Sequence, residues 1–82
     1  MVTPESIQAG IAQGINAEHL SVAGDGRHFE AVVVAPQFAG KRAIARHQLV
    51  YATLGHAVGR EIHALSIDAQ TPEEWAARGG KG

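Results

Sequence analysis

The sequence has no cysteine among its 82 residues. This absence excludes a disulfide scaffold, a thiol nucleophile and a thiolate metal site built from this chain alone. Long apolar runs are also missing: the longest covers 31–35, too short for a transmembrane helix or a signal-peptide core. The formal net charge is −1, which provides no overall attraction to nucleic acid or anionic lipid. We therefore expect a cytoplasmic protein that does not associate with membranes.

The composition is that of a small globular protein. Hydrophobic residues make up 45% of the chain and charged residues 18%, which is typical of folded domains. A chain of 82 residues has room for one hydrophobic core. We predict a single domain over 1–82, with a glycine-rich tail at 79–82 that frays.

The first half of the chain predicts a helix and a hairpin. Thr3-Pro4-Glu5 supplies an N-cap, a proline at the first helical position and an acidic first turn, and isoleucines recur every four residues up to Ile15. Strand-like segments follow at 18–23 and 28–35, separated by an Asp-Gly turn signal at 24–27. Alternation places three residues of the second strand toward the core: Phe29, Ala31 and Val33.

The second half predicts a long helix, a strand and a short helix. The long helix covers 42–57, with Gly59 as its C′ residue, and the third strand covers 62–68 with Leu65 and Ile67 on one face. Thr71-Pro72-Glu73-Glu74 forms a capping box ahead of Trp75, which we expect to anchor the last helix on the core. The apolar stripe of the long helix is Ile44, His47, Tyr51, Leu54 and Val58.

The order α-β-β-α-β-α predicts an α+β fold with helices packed on a three-stranded mixed sheet. The hairpin makes the first two strands antiparallel, and a helical crossover makes the third parallel to the second. The starts of the second and third strands then meet at one edge of the sheet. His28 and His63 open these two strands, so residues 35 positions apart become neighbours.

Each of the five histidines has an ordinary structural interpretation. Spacing alone favours a strand-end histidine bonded to backbone for His63 and a polar loop residue for His28. Strict alternation also puts their side chains on opposite faces of the sheet. His47 fits a core histidine, and His19 and His56 fit solvated positions. Nucleophile, phosphate-binding and zinc-hydrolase motifs are missing, so we expect a binding protein and not an enzyme.

Three segments, in order, resemble the BolA-like family. They are His28-Phe29-Glu30-Ala31-Val32-Val33-Val34 leading to Phe38-Ala39-Gly40, Arg46-His47-Gln48-Leu49-Val50-Tyr51, and Ile62-His63-Ala64-Leu65-Ser66-Ile67 ending in Thr71-Pro72-Glu73-Glu74-Trp75. The resemblance covers about residues 3–77, and its hairpin is most similar to the acid-stress-associated bacterial branch of the family.

The resemblance implies a fold similar to the type II KH domain and a monothiol glutaredoxin as partner. In such complexes a [2Fe-2S] cluster is shared between the glutaredoxin cysteine, the glutathione thiol and two side chains of the BolA-like chain. The matching positions here are His63 and His28. The chain alone is then not expected to hold the cluster, which serves iron–sulfur trafficking or iron and stress regulation.

The resemblance also leaves two other functions open. Family members have been described as DNA-binding regulators, and Lys41, Arg42 and Arg46 form a basic cluster where the loop enters the long helix. The KH-type G-x-x-G clamp is missing after Gly40, and these basic residues are equally consistent with a solvated helix start. A protein-interaction adaptor without metal is the third interpretation.

Overall fold

The computed structural model describes residues 3–25, 28–55 and 64–79. The elements within these ranges are α1 (Pro4–Gly14), β1 (His19–Gly24), β2 (His28–Val34), a 3₁₀ turn (Pro36–Phe38), α2 (Ala43–Leu54), β3 (Ala64–Gln70) and α3 (Pro72–Ala77). The predicted order of helices and strands is confirmed. The 3₁₀ turn replaces part of the loop expected after β2.

The two predicted N-cap residues, Thr3 and Thr71, have the expected capping geometry. Thr3 Oγ1 accepts a hydrogen bond from the Ser6 backbone N–H at 3.1 Å, and Ser6 Oγ accepts one from the Thr3 N–H at 3.0 Å. Thr71 and Glu74 form the second capping box in the same way. These reciprocal bonds satisfy N–H groups that the first turn of a helix leaves without partners.

The strands form one mixed sheet in the order β1-β2-β3. The first pair is antiparallel and the second parallel, as the chain order predicts. Because side chains alternate along a strand, the sheet has a core face and a second face that we call the outer face. The core face carries Leu20, Val22, Phe29, Ala31, Val33, Leu65, Ile67 and Ala69. The outer face carries His19, Ser21, Ala23, His28, Glu30, Val32, Val34, Ser66, Asp68 and Gln70.

The core forms between the core face and the two longer helices. Ile7, Ile11 and Ile15 are 2%, 0% and 3% exposed, so the four-residue repeat correctly identified the buried side of α1. The core predictions for β2 are confirmed as well, because Phe29 and Val33 are fully enclosed. Burying large apolar side chains in this way is the main favourable contribution to folding.

The predicted stripe of α2 is confirmed in part, because its member Leu54 packs against the core but Ile44 and Tyr51 do not. Ile44 is 69% exposed and Tyr51 37% exposed, whereas Val50 is completely buried. Leu49 and Leu54 pack against the core beside Val50, and His47 is half-buried. The inward side is therefore centred on Val50, about one residue or 100° around the helix from the middle of the predicted stripe, and the two overlap at Leu54.

The end of α2 also differs from the prediction of a helix over 42–57. The helix ends at Leu54, and its C-cap Gly55 has a φ of 58°, a positive value that glycine adopts more easily than other residues. The predicted C′ residue Gly59 and the predicted stripe residue Val58 lie outside the described residues, as does the tail from 80 to 82. No helix in the described ranges is long and apolar enough to cross a membrane.

Trp75 of the last helix contacts the outer face of the sheet and not the core as predicted. Trp75 stacks on His19, which alternation places opposite the core residue Leu20. Val34 and Gln70, the neighbours of His19 across the sheet, are 1% and 4% exposed at this end of the outer face. Trp75 does anchor the last helix, but the surface that it contacts was predicted incorrectly.

Candidate functional site

His28 is the first residue of β2, and it is exposed at the edge where the hairpin ends. Its backbone N–H donates to Asp25 Oδ1 at 2.9 Å, and the Asp25 N–H donates to the His28 carbonyl at 3.2 Å. These two hydrogen bonds fix the backbone of His28 while its imidazole remains accessible. Such a side chain can serve as a ligand without rearrangement of the strand.

Gly24 makes this backbone geometry possible. A Cβ at Gly24 would overlap Phe29 Cδ1 and would lie 2.6 Å from the His28 carbonyl oxygen. Phe29 is 1% exposed, so its ring has no free space into which it can move. Gly24, the first glycine of the Gly-Asp-Gly turn signal, therefore lets the hairpin close tightly beside His28.

The parallel pairing determines what stands next to His28. Its Cα partner is Ala64, the first described residue of β3 and the residue that follows His63 in the sequence. Neighbouring strands lie about 4.8 Å apart. His63 itself lies outside the described residues, so both ligand assignments stay predictions. Along the outer face, Glu30 and Ser66 form the next pair beyond His28 and Ala64.

The donor atoms present suit a shared metal group and not one held by this chain alone. Among the described residues, no group of three or more His, Cys, Asp or Glu side chains comes together. The full sequence contains no thiol. An exposed imidazole such as His28 can complete the coordination of an iron whose cluster is otherwise held by thiolates, as histidine does in Rieske centres.

Arg46 has a structural role that the sequence did not reveal. Its Nη1 donates to Glu74 Oε1 at 2.6 Å and its Nη2 to Glu74 Oε2 at 3.1 Å, which is a bidentate guanidinium–carboxylate pair. Nη1 also donates to the Ala69 carbonyl at 3.0 Å and Nε to the Lys41 carbonyl at 2.9 Å. Hydrogen bonds from Arg46 and from the Thr71 backbone lower the pKa of the Glu74 carboxyl to about 2. Helix capping therefore explains only part of what Glu74 does.

The basic cluster consequently divides into two parts. Lys41 and Arg42 are exposed at the start of α2, whereas the guanidinium of Arg46 is held within the fold by Glu74. A nucleic-acid role for these three residues stays a prediction. If it holds, Lys41 and Arg42 are the side chains placed to reach a phosphate.

The remaining histidines lie away from the hairpin edge or outside the described ranges. His47 is half-buried on α2. His19 was expected to be solvated but is half-buried, and its ring stacks on Trp75 with centroids 4.9 Å apart and planes 18° apart. His56 lies outside the described residues. A strand-start histidine and a lone tryptophan 56 positions later carry no sequence signal that pairs them.

Comparison with known proteins gives a consistent set of relatives. The family model described as BolA-like protein matches residues 8–74. Protein BOLA2 of Arabidopsis thaliana is 45% identical over 80 residues, covering 92% of this chain and 85% of the relative. The acid stress protein IbaG of Escherichia coli K12 is 37% identical over 71 residues, covering 85% and 84%.

A third relative has a different description. The DNA-binding transcriptional regulator BolA of Escherichia coli K12 is 37% identical over 57 residues, covering 70% of this chain. The match covers 54% of that regulator, so the chain spans about half its length.

Solved structures share the fold. A bolA protein homologue from Coxiella burnetii superposes with a TM-score of 0.81 at 45% identity, covering 93% of this chain and 99% of that one. The solution structure of yeast Fra2 gives a TM-score of 0.75 at 32% identity, covering 92% and 85%. The α+β architecture with its three-stranded mixed sheet is therefore the architecture of these proteins.

Proposed function

Because the chain belongs to the BolA-like protein family, we propose that it is a non-enzymatic partner of a monothiol glutaredoxin and that it co-ligates a [2Fe-2S] cluster through His28 and His63. The observation that supports the proposal most is the register of β2 and β3. An exposed histidine opens β2, and its Cα partner is the residue that follows His63. This pairing supports a site at the end of the sheet where β2 and β3 both start.

The available ligand atoms fit a cluster site that is shared between two proteins. The partner supplies thiolates from its cysteine and from glutathione, and this chain supplies neutral imidazoles. Imidazole in place of thiolate raises the reduction potential of a [2Fe-2S] centre, which distinguishes the shared cluster from one held by thiolates alone. When bound, the cluster supplies the electron-transfer or iron–sulfur transfer chemistry, and the residues of this chain bind it.

Mixing the chain with a cluster-loaded monothiol glutaredoxin tests the proposal. We expect a heterodimer on size exclusion and a changed visible circular dichroism spectrum, with saturation at one chain per cluster. The isolated chain, treated anaerobically with iron and sulfide, should stay colourless. A glutaredoxin spectrum that does not change on mixing, or a stable cluster on the isolated chain, would contradict the proposal.

A second candidate is a nucleic-acid-binding regulator of BolA type, and two observations favour it. One is the similarity to the DNA-binding transcriptional regulator BolA of Escherichia coli K12. The other is the exposure of Lys41 and Arg42 at the start of α2. A modest number of phosphate contacts gives salt-sensitive, non-selective binding. Sequence-selective DNA binding at physiological salt that is lost in a Lys41→Ala/Arg42→Ala variant would place this function ahead of the first.

A further inference from the structure

The stack between His19 and Trp75 is a contact whose strength depends on proton binding. The rings lie nearly parallel, with centroids 4.9 Å apart. A cation over the face of tryptophan is attracted by the ring quadrupole when it lies within about 6 Å of the centroid. Histidine is the side chain whose ordinary titration falls between about pH 5 and 8. Gaining a proton therefore converts this contact from a neutral stack into a cation–π pair.

The contact joins two elements that are far apart in the sequence. His19 opens β1, an edge strand of the sheet, and Trp75 belongs to α3, which follows β3 at the opposite edge. Across the sheet, Val34 and Gln70 lie in the same row as His19. No described residue accepts a hydrogen bond from the buried Trp75 Nε1, so packing of its ring faces positions the indole. The stack therefore links the two outer strands of the sheet, β1 and β3, through α3.

The ion pair between Arg46 and Glu74, a second attachment of α3, does not weaken in mild acid. Arg46 holds Glu74 through two hydrogen bonds, and the pKa of that carboxyl is lowered to about 2. The bidentate pair and the capping box therefore keep their charges throughout the range in which histidine titrates. Any change in the docking of α3 between about pH 5 and 8 must therefore come from a group other than Glu74.

We propose that His19 and Trp75 form an acid-strengthened clasp, in which protonation of His19 tightens the docking of α3 on the outer face of the sheet. Protonated His19 binds the indole face more strongly than neutral His19, so α3 is held more firmly at pH 5 than at pH 8. The charged groups of the surrounding elements are Glu18 beside His19, Asp68 on β3, Glu73 and Glu74 on α3, and Arg78 after α3. Asp68 faces Arg78 at 3.3 Å and Glu74 faces Arg46, which leaves Glu18 and Glu73 as the carboxylates to be controlled for.

A double-mutant cycle measured at pH 5 and at pH 8 tests the clasp. The variants are His19→Gln, Trp75→Leu and the two combined, with unfolding in urea followed by circular dichroism. The coupling between the two positions, expressed as an equilibrium constant, should be about two- to fivefold larger at pH 5. Equal coupling at both pH values would overturn the proposal.

A local readout keeps the test decisive if Trp75→Leu fails to fold. Trp75 is the single tryptophan, so tryptophan fluorescence and the indole N–H resonance report on the surroundings of this one residue. Both signals should shift between pH 8 and pH 5 in the wild type and in His47→Gln, Glu18→Gln and Glu73→Gln, but not in His19→Gln. A shift that persists in His19→Gln, or that disappears in Glu18→Gln or Glu73→Gln, would assign the pH dependence to another group.

Discussion

Gly24 shows how a single residue without a side chain positions a candidate ligand. A Cβ at this position would lie 2.6 Å from the His28 carbonyl oxygen and would overlap the buried ring of Phe29. The hairpin can relieve these contacts only by moving the backbone of His28 or by disturbing the core. The position of His28 at the edge therefore depends on the absence of a side chain four residues earlier.

We expect Gly24→Ala to destabilise the fold by about 1–3 kcal/mol, which is the usual cost of forcing extra atoms into a packed region. Urea unfolding at neutral pH measures this loss. Ser21→Ala is the matched control, because Ser21 is exposed on the same strand. If Gly24→Ala were as stable as the control, the close approach at the hairpin would not matter energetically.

The ion pair of Glu74 predicts a specific pH dependence. Its pKa is lowered to about 2 from an ordinary value of 4.5, so the folded state favours the ionised form. The stabilisation is therefore complete above about pH 4.5 and is lost as the pH falls toward 2. Glu74→Gln keeps a capping side chain but removes the charge.

The wild type should exceed Glu74→Gln in stability by a constant amount between pH 8 and pH 5, and the difference should shrink below pH 4.5. Denaturant unfolding at intervals across this range measures it. Glu73→Gln is the control, because Glu73 is exposed in the same helical turn. An equal difference at pH 3 and pH 7 would show that the charge of Glu74 is not involved.

The sequence revealed the roles of residues that interact with near neighbours in the chain. It missed roles that depend on residues far apart in the sequence. The start of β2 at His28 was predictable because the Asp-Gly turn and the alternation after it are local signals. The Arg46–Glu74 pair was not, because its members are 28 positions apart and meet only through tertiary folding. Glu74 already had a local explanation as a capping residue, and that explanation concealed the second role.

At the scale of elements, the contact between α1 and α2 depends on two glycines of α1. A Cβ at Gly14 would lie 2.5 Å from Thr53 Cγ2, and one at Gly10 would lie 3.2 Å from Leu54 Cδ2. Thr53 cannot turn away without cost, since its hydroxyl donates to the Val50 carbonyl at 2.6 Å. The terminal methyl of Leu54 belongs to a flexible side chain, so the two glycines respond differently to substitution.

We expect Gly14→Ala to lower the free energy of unfolding by about 1–2 kcal/mol, because the overlap with Thr53 outweighs the gain in helix propensity. Gly10→Ala, a matched change one turn earlier, should be neutral or stabilising by up to about 1 kcal/mol. Thermal unfolding of the pair compares them directly. Equal effects of the two substitutions would contradict the proposed packing of Thr53 against Gly14.

The same contact explains why Ile44 and Tyr51 were wrongly assigned to the buried stripe of α2. Spacing along α2 identified a regular apolar series through Ile44 and Tyr51, but it could not reveal where a neighbouring helix offers space. The glycines of α1 accept Thr53 and Leu54. With this side of α2 turned inward, Val50 is buried, and Ile44 and Tyr51 of the predicted stripe are exposed. In α1 the repeat of isoleucines had no competing apolar side, and the prediction was confirmed.

At the scale of the whole molecule, chain order and turn signals were sufficient to predict the architecture. The hairpin makes β1 and β2 antiparallel, and the helical crossover makes β3 parallel to β2, so the mixed sheet follows from general rules of connection. The docking of α3 on the outer face was not predictable, because Trp75 could pack on either face of the sheet. The topology brings His28 to Ala64, and the ligand assignment of His63 stays a prediction.

The central claim is that His28 and His63 hold a cluster together with a thiolate-bearing partner. Visible circular dichroism of the mixture with cluster-loaded glutaredoxin tests it most directly, using wild type, His28→Ala, His63→Ala and His47→Ala. A ligand held within a strand loses less entropy on binding, and the sequence predicts this for His63, whereas His28 directly follows the hairpin turn. We expect His63→Ala nearly to abolish the mixed-complex spectrum and His28→Ala to weaken or alter it. His47→Ala should leave the spectrum unchanged while lowering stability. A wild-type spectrum from both His28→Ala and His63→Ala would contradict the ligand assignment.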